Sequence, residues 1–369
     1  MKLHASSRVA VASWSILGLQ LFFDSGSQAT EPQIDEDGTV HVPAYTLPES
    51  SFLGADTRRV LKTQRKRAKK QASAANPCPP EEGADAAHMS AIRKCEAEAF
   101  YKSADYKHLR ELYRVVMTRR QIGGVYTEVF EPAEGIAPEN RRRVLINVHG
   151  GWFTGGARTK SHSESVPIAS LGKIRIVSID YRQAPEYSFP AASEDVASVY
   201  RELLKTYKPG NIGIYGCSAG GLLTAEAIAW FEAKKLPLPG AAGMLCGAGT
   251  YWAEGDSGNI SEAHGWFPRD TISANPYFRT ADPNDPLAFP ARSAEVMGRF
   301  PPSLLICGAR DVALSSVIYT HSLLVARGVD AELHIWEGMR HEFLLIPDLP
   351  QSREAYSVIV KFFETHLGG

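Results

Sequence analysis

The sequence lacks any strong charge imbalance. Lys and Arg number 40 against 41 Asp and Glu in 369 residues, so the formal net charge is −1 at pH 7. A chain this balanced has no overall field to attract it to nucleic acid or to an acidic surface. The 31 Gly and 23 Pro are spread along the chain, which excludes collagen-like and low-complexity structure. With 44% hydrophobic residues, the composition indicates a soluble globular protein of one large or two ordinary domains.

Long apolar runs are also missing, with one short exception at the N-terminus. Val9–Phe23 is mostly apolar but only about 15 residues long, whereas a membrane-spanning helix needs about 20. It follows the basic Lys2 and Arg8 and precedes Ser27–Ala29 (SQA), a small-x-small cleavage site. We therefore expect residues 1–29 to be a signal peptide, and the mature protein to be periplasmic or secreted without a membrane span. A buried N-terminal helix or an uncleaved anchor is the alternative.

Cysteine is scarce, with five in the chain. Cys217, Cys246 and Cys307 lie in or beside short apolar runs typical of buried strands, where a thiol behaves as a small hydrophobe. Cys78 and Cys95 flank a polar segment, and in an exported chain they could pair. The sequence leaves the state of this pair open.

Residues 30–124 are polar and irregular in pattern. Within them, Thr57–Lys70 (TRRVLKTQRKRAKK) is strongly basic and lacks Gly and Pro, which predicts a solvent-exposed helix. Phosphate binding through Arg58–Lys70 is the alternative, but no aromatic residues interleave with the charges. We favour the exposed helix and expect no nucleic-acid partner. Helix-forming residues continue over Ala91–Val116, so residues 30–124 are expected to cover a second region, residues 125–369.

From Arg143 onward, short apolar runs alternate with helical stretches. This rhythm predicts an α/β fold with a mostly parallel central sheet flanked by helices. The segment Tyr251–Pro302 interrupts it with many Pro, Asp and aromatic residues, and we expect it to build a pocket wall. The predicted strands are Val144–Val148, Ile174–Ile179, Asn211–Tyr215, Ala242–Cys246, Ser303–Cys307 and Ala331–Trp336, and the predicted helices are Ser193–Tyr207, Gly221–Lys235, Ser316–Ala326 and Arg353–His366.

The strongest motif is Gly216–Gly220 (GCSAG), which lies between a predicted strand and a predicted helix. In that context, G-x-S-x-G is typical of a nucleophile on a sharp strand-to-helix turn, with glycines that let the helix pass the strand. Ser218 is therefore the candidate nucleophile.

A serine hydroxyl needs a base within hydrogen-bond reach and an acid that orients the base. His341 and Asp311 each follow a predicted strand, where an α/β sheet places its chemistry, and they come after Ser218 in the chain. Asp330 is a weaker rival because it precedes its strand. His149 and His264 are the nearest competing histidines.

His149-Gly150-Gly151-Trp152 follows the strand that ends at Val148. Backbone N–H groups of such a turn can stabilise the oxyanion of a tetrahedral intermediate by about 3 kcal/mol each. Gly150, Gly151 and Trp152, with the N–H of Ala219, form the predicted oxyanion hole, in which Gly150 shapes the turn. His149 is predicted to brace the loop.

These residues resemble the hormone-sensitive-lipase-like branch of the α/β-hydrolase esterases. The resemblance runs from Arg143 to the C-terminus and is carried by GCSAGG and by Tyr181–Val196 (YRQAPEYSFPAASEDV), with Asn284–Leu287 and EGMRHEF in support. It implies an α/β-hydrolase fold with an N-terminal helical cap, carboxylester hydrolysis, and neither a cofactor nor a metal.

Two positions depart from that family. Trp152 stands where the family usually has a third glycine, so we expect its indole to crowd the pocket and to favour a small group, such as a methyl or another short alkyl, on one side of the ester. Trp152 and its neighbour Phe153 are the predicted substrate-binding residues. Cys217 stands where Asp or Thr is common, which should alter packing rather than chemistry.

The expected function is that of a serine carboxylesterase acting through an acyl-enzyme. A weaker resemblance to bacterial esterases of sulfonylurea herbicides, based on length, export signal, Trp152 and the polar cap, implies xenobiotic esters among the substrates. The alternatives are a non-catalytic ligand-binding protein on the same scaffold and a lactone or amide hydrolase. The oligomeric state stays open, with a homodimer as one alternative.

Overall fold

A computed structural model describes residues 32–44, 46–72, 78–79, 85–261 and 271–368. The predicted signal peptide and His264 lie outside these residues. The chain divides into two units, Met1–Pro48 and Glu49–Gly369. The described part of the first unit contains a short antiparallel ribbon of β1 (Gln33–Ile34) and β2 (Val40–His41).

The second unit is built on an eight-stranded sheet within the described residues. In sheet order the strands run β10-β9-β8-β7-β5-β6-β4-β3, and all neighbours are parallel except that β4 is antiparallel to both β6 and β3. The strands are β3 (Val115–Ile122), β4 (Val125–Pro132), β5 (Val144–Val148), β6 (Arg175–Ile179), β7 (Ile212–Cys217), β8 (Ala241–Leu245), β9 (Ser303–Arg310) and β10 (Ala331–Arg340).

Helices cover both faces of this sheet. Along β5, Val144, Ile146 and Val148 pack on one face and Leu145 on the other, and all four are fully or almost fully buried. Helices α5, α6 and α9 contribute to the first core, and α4 and α10 to the second. The helices are α1 (Ala55–Ala72), α2 (Ala86–Lys102), α3 (Ala104–Leu112), α4 (Lys160–Gly172), α5 (Ala191–Leu203), α6 (Ala219–Ala233), α7 (Asp256–Ser261), α8 (Ala294–Met297), α9 (Leu314–Ala326) and α10 (Pro350–His366).

The predicted α/β fold is confirmed, and every strand and helix predicted after Arg143 is present within a few residues of its expected bounds. Residues 115–122, which were expected to belong to the N-terminal region, instead form β3 at the edge of the sheet. Helix α4 was not predicted. None of the helices among the described residues is long and apolar enough to span a membrane.

The basic run forms the predicted helix, α1, and residues 65–70 of it are exposed. Ion pairs with acidic residues offset part of its charge: Arg58 and Arg65 contact Glu49, and Arg67 contacts Asp105. These contacts agree with a solvent-exposed helix.

Helix α2 is tied to the region of residues 125–369 through one arginine. Arg93 donates to the carbonyl oxygens of Thr154 and Ala184, both at 2.6 Å, and pairs with Glu186 at 2.8 Å. A disulfide joins Cys95 of this helix to Cys78, which settles the state that the sequence left open. The other three cysteines are buried thiols, as predicted.

Replacing both disulfide cysteines, as Cys78→Ser with Cys95→Ser, is expected to lower the free energy of unfolding by about 2–4 kcal/mol. The reason is that the open chain gains conformational freedom when the loop between the two residues is no longer closed. Urea denaturation measures the effect. Reductant should lower the stability of the wild type toward that of the variant and leave the variant unchanged; equal stability of the two oxidised proteins would refute the prediction.

Candidate active site

Ser218 lies on the turn that joins β7 directly to α6. Its backbone has φ +61° and ψ −124°, a sparsely populated conformation for a residue with a side chain. The turn is fixed by a 2.7 Å hydrogen bond from the Ser218 N–H to the Leu245 carbonyl on the neighbouring strand. The serine is 7% exposed, so only a small part of the residue is accessible to solvent.

Two glycines allow this turn to approach β5. A Cβ atom at Gly216 would lie 2.0 Å from the Val148 carbonyl oxygen, and one at Gly220 would lie 1.9 Å from the same atom. Any other residue at either position would push the turn away from β5. The G-x-S-x-G pattern therefore has a direct steric cause.

His341 and Asp311 reach Ser218 from the ends of β10 and β9. The Ser218 Oγ lies 2.8 Å from His341 Nε2, and His341 Nδ1 lies 2.7 Å from Asp311 Oδ1. Because an ionised carboxylate can only accept, Nδ1–H donates to Asp311, and Nε2 is left to accept the serine proton. The structure thus brings the three predicted residues into one contiguous chain of hydrogen bonds.

Two rival residues lie elsewhere. Asp330 precedes β10 and contacts His366 at the end of α10, 3.2 Å away. His149 is fully buried, where its ring stacks on Tyr181 and its Nδ1 lies 2.8 Å from the Gly150 carbonyl. Burial lowers the pKa of His149, so this histidine stays neutral and is placed to brace the loop that follows β5.

The charges around His341 raise its pKa. Burial alone would lower it, but the charge and hydrogen bond of Asp311, with a smaller contribution from Glu342, hold the pKa above the ordinary 6.5. Glu342 in turn is paired with Lys160, whose Nζ lies 2.6 and 2.7 Å from the two carboxylate oxygens. Burial favours the neutral form of each partner, but the charge and hydrogen bonds of the other partner outweigh this effect. The pKa of Glu342 is therefore lowered and that of Lys160 is raised. Both groups are charged at neutral pH.

The loop after β5 holds the predicted oxyanion donors in an unusual conformation. Gly151, Trp152 and Phe153 have φ of +122°, +58° and +60°, so two residues with side chains occupy the left-handed region. The Gly151 N–H donates to no acceptor among the described residues. Ala219 is the first residue of α6, where a helix has no internal acceptor for the N–H.

Gly150 was predicted to belong to the oxyanion hole as the residue that shapes its turn. Its N–H donates to Glu164 Oε1 at 2.9 Å, so it is already engaged and is not available to an oxyanion. This corrects its inclusion in the oxyanion hole. Gly150 retains the predicted part in shaping the turn, because a Cβ there would lie 2.7 Å from the Cys217 carbonyl oxygen and 3.1 Å from Ser218 Cβ.

Phe153 also departs from the prediction. Its ring has no exposed surface, stacks on Tyr277 with ring centres 4.4 Å apart, and meets Phe278 edge-on at 5.0 Å. A side chain buried in the core in this way cannot contact a substrate in the open cavity, so Phe153 anchors the loop instead.

A cavity of about 740 Å³ opens beside the loop. Trp152 lines it and is held edge-on against Trp252, with ring centres 5.1 Å apart, while Asn275 Nδ2 donates to the Trp152 carbonyl at 3.3 Å. Helix α2 and the segment expected to form a pocket wall both contribute to its lining. The lining residues include Cys78, Glu96, Ala99, Gly151, Trp152, Thr154, Gly155, Gly156, Thr159, Lys160, Asn275 and Pro276.

Comparison with known proteins agrees with this geometry. Residues 145–345, more than half of the chain, match the family described as the alpha/beta hydrolase fold. An acetyl-hydrolase from Streptomyces hygroscopicus is 29% identical over 253 residues, which are 67% of this chain and 84% of that protein. A crystal structure of an esterase from the bacterial hormone-sensitive lipase family is 26% identical and has a TM-score of 0.69. The match covers 86% of this chain and 99% of the esterase chain.

The chain belongs to the hormone-sensitive-lipase-like branch of the α/β hydrolases. A second solved esterase is 26% identical to it, with a TM-score of 0.74 over 89% of this chain and 99% of the other. The resemblance inferred from the motifs is thereby confirmed.

Sequence reasoning missed three charged residues of this hydrolase that surround the site, namely Lys160, Glu164 and Glu342. Lys160 and Glu164 lie four residues apart near the start of α4, and therefore on one face of that helix. Their spacing, and the position of Glu342 directly after His341, are the signals that could have identified them.

Hydrolysis by the wild type is expected to fall as the pH drops through a value above 6.5, because His341 must be neutral to accept a proton. Glu342→Gln should move the midpoint of this acid limb to lower pH, since it removes a charge that raises the His341 pKa and leaves Lys160 unpaired. Lys160→Met should move it to higher pH. Profiles of kcat/KM against pH measure both shifts.

Glu337→Gln is the matched control for these profiles, because Glu337 is exposed on β10 and is not among the groups that shift the His341 pKa. Shifts of the same sign in Glu342→Gln and Lys160→Met would contradict the electrostatic explanation.

Proposed function

We propose that this hydrolase is a serine carboxylesterase that cleaves short-alkyl carboxylic esters through an acyl-enzyme intermediate. The observation that carries the proposal is the chain of hydrogen bonds from Ser218 to His341 to Asp311, at 2.8 and 2.7 Å, beside a loop with an unengaged backbone donor. The names of the relatives, an acetyl-hydrolase and two esterases, support the same reaction class.

In the acylation step, Ser218 Oγ attacks the ester carbonyl carbon while His341 Nε2 takes the hydroxyl proton. Asp311 accepts from Nδ1–H and stabilises the imidazolium that forms. The carbonyl oxygen becomes an oxyanion, which the N–H groups of Gly151, Trp152 and Ala219 stabilise. The bond from carbon to the alcohol oxygen then breaks, and His341 donates its proton to that oxygen, so that the alcohol leaves neutral.

Deacylation repeats the same proton transfers with water. His341, neutral again, removes a proton from a water molecule that attacks the acyl carbon, and the second oxyanion occupies the same donors. When the bond to Ser218 Oγ breaks, His341 returns the proton to the serine. The acid leaves and the resting state is restored.

The pocket supports a small group on one side of the ester. Trp152 projects from a loop position where a glycine would leave open space, and contacts with Trp252 and Asn275 hold the residue there. Methyl and other short-alkyl esters fit such a site, and sulfonylurea-type methyl esters are a xenobiotic candidate within this class. An acetyl-hydrolase among the relatives agrees with one small substituent.

We also propose that the protein is exported. The apolar stretch and cleavage motif of residues 1–29 support an exported precursor, and the disulfide between Cys78 and Cys95 suits an oxidising compartment.

A mature N-terminus at Thr30 is the expected result of mass spectrometry on the exported protein. Retention of residues 1–29 would count against export by cleavage.

An ester panel graded by alcohol and acyl size tests the reaction. Wild type should hydrolyse short esters with an initial burst of alcohol equal to the enzyme concentration when deacylation limits the rate, whereas Ser218→Ala should lose at least about 10³-fold in kcat. Lactones and amides in the panel distinguish the related hydrolase classes. Undiminished turnover by Ser218→Ala would reject the proposed nucleophile, and binding without turnover by the wild type would favour a ligand-binding protein.

Trp152→Gly, run on the same panel, addresses the small-group preference. Glycine adopts positive φ without strain, so the loop should keep its shape while the pocket enlarges. Longer alkyl groups should gain relative to methyl, and an unchanged preference would show that Trp152 does not set the limit.

A further inference from the structure

Glu164 is an acidic side chain buried beneath the two loops that carry the reaction. It lies in the second turn of α4 and is 6% exposed. Its Oε1 accepts from the Gly150 N–H at 2.9 Å. Its Oε2 accepts from Asn147 Nδ2 at 2.9 Å and from the Cys217 N–H at 3.3 Å.

These partners belong to different parts of the site. Gly150 begins the oxyanion loop, and Cys217 immediately precedes the nucleophile. Asn147 lies on β5 and is itself held by Ser178 of β6, whose Oγ donates to Asn147 Oδ1 at 2.7 Å. One side chain therefore connects the oxyanion loop, the nucleophile turn and the sheet from which both loops emerge.

Burying an acidic side chain such as Glu164 costs free energy. An acidic side chain loses its hydration inside a protein, and hydrogen bonds only partly replace it. Burial accordingly raises the pKa of Glu164 to about 8, against the pull of the Gly150 and Asn147 donors. An apolar residue of similar length would fill the same volume at lower cost, so the three contacts are the part of Glu164 that an apolar residue could not supply.

The oxyanion loop needs an external restraint of this kind. Its residues 151–153 all have positive φ, and two of them carry large side chains, so the conformation is strained and persists only where neighbouring contacts hold it. The hydrogen bond from Gly150 to Glu164 is placed at the start of this strained segment. It holds the Gly150 backbone directly before the peptide that carries the Gly151 N–H.

We propose that Glu164 is a positioning residue that holds the oxyanion loop at its working distance from Ser218. The inference rests on the proposed function, because it concerns the transition state of that reaction. Glu164 does not touch the substrate; it acts through the backbone of Gly150 and Cys217.

The same helix face reaches the third loop of the site. Lys160, one turn before Glu164, pairs with Glu342, which directly follows His341. A hypothetical Cβ at Gly150 would lie 3.1 Å from Glu342 Oε1, so this ion pair also borders the oxyanion loop. Helix α4 thus contacts the loops of the nucleophile, the oxyanion donors and the histidine.

Substitutions at Glu164 test the proposal in the full-length protein. Gln keeps one acceptor oxygen, so it can hold either Gly150 or the pair of Asn147 and Cys217, but not both. Met has similar length and no acceptor oxygen. We expect kcat to fall about tenfold in Glu164→Gln and about 100-fold in Glu164→Met, with KM changed less than about threefold, because the loss appears mainly in the transition state.

The inactivation rate by a p-nitrophenyl alkylphosphonate gives a second readout. This reagent phosphonylates Ser218 while His341 takes the hydroxyl proton and p-nitrophenolate leaves. The reaction passes through a pentacoordinate state whose phosphoryl oxygen carries negative charge and uses the same donors. Its rate constant should fall in parallel with kcat/KM across the Glu164 series.

Glu226 supplies the matched control. It is a second buried glutamate, in α6, where Ser193 Oγ donates to it at 3.1 Å, and burial raises its pKa as well. Glu226→Gln and Glu226→Met should lower the melting temperature as the Glu164 variants do, but leave kcat within about twofold of wild type.

The outcomes distinguish the positioning role of Glu164 from general destabilisation and from a failure of the proposed function. A folded Glu164→Met or Glu164→Gln with wild-type kcat and wild-type phosphonylation would overturn the positioning role while leaving the esterase function intact. Equal losses of kcat at Glu164 and Glu226 would also overturn it, since they would indicate general destabilisation. If Glu164→Met does not fold, Glu164→Gln decides alone. A wild type without ester hydrolysis would overturn the proposed function and this inference together.

Discussion

The contact between the Val148 carbonyl and the turn that carries Ser218 is the constraint on which the site depends. Two glycines, Gly216 and Gly220, make room for that oxygen where a Cβ would lie at about 2 Å. Because β5 and β7 are hydrogen-bonded neighbours, the contact brings the loop after β5 beside the nucleophile. The histidine and the acid then arrive from β10 and β9, which are parallel strands of the same sheet and end at the same edge. The catalytic arrangement thus follows from the parallel topology and from one close backbone approach.

Much of this could be read from the sequence because the signals are local. The apolar run Val144–Val148 coincides with β5, and the Ser218 motif lies between a strand and a helix as expected. The edge strand β3 escaped detection because most of its residues are exposed or half-buried, so it lacks the continuous apolar run of an interior strand. Helix α4 begins with polar residues and contains Pro167, which conceals its helical pattern.

The supporting residues were missed for a different reason. A glutamate in a sequence is assigned to the surface by default, and only the packed fold shows that Glu164 lies under Gly150. The same holds for Phe153, whose position after Trp152 suggested the pocket but whose ring lies in the core. Linear proximity to a motif identifies the chain segment, whereas the direction of each side chain depends on backbone torsions that the motif does not encode.

The stacking of Phe153 on Tyr277 has a consequence for how the pocket can diversify. Tyr277 belongs to the segment that also supplies Asn275 and Pro276 to the cavity wall, so wall and loop are packed as one piece. Transplanting that segment from another hydrolase without its partner aromatic would leave a void or a clash next to the backbone donors. A change in substrate range is therefore coupled to a change in catalytic geometry in this scaffold. The wall segment and the loop that carries Phe153 must be exchanged together.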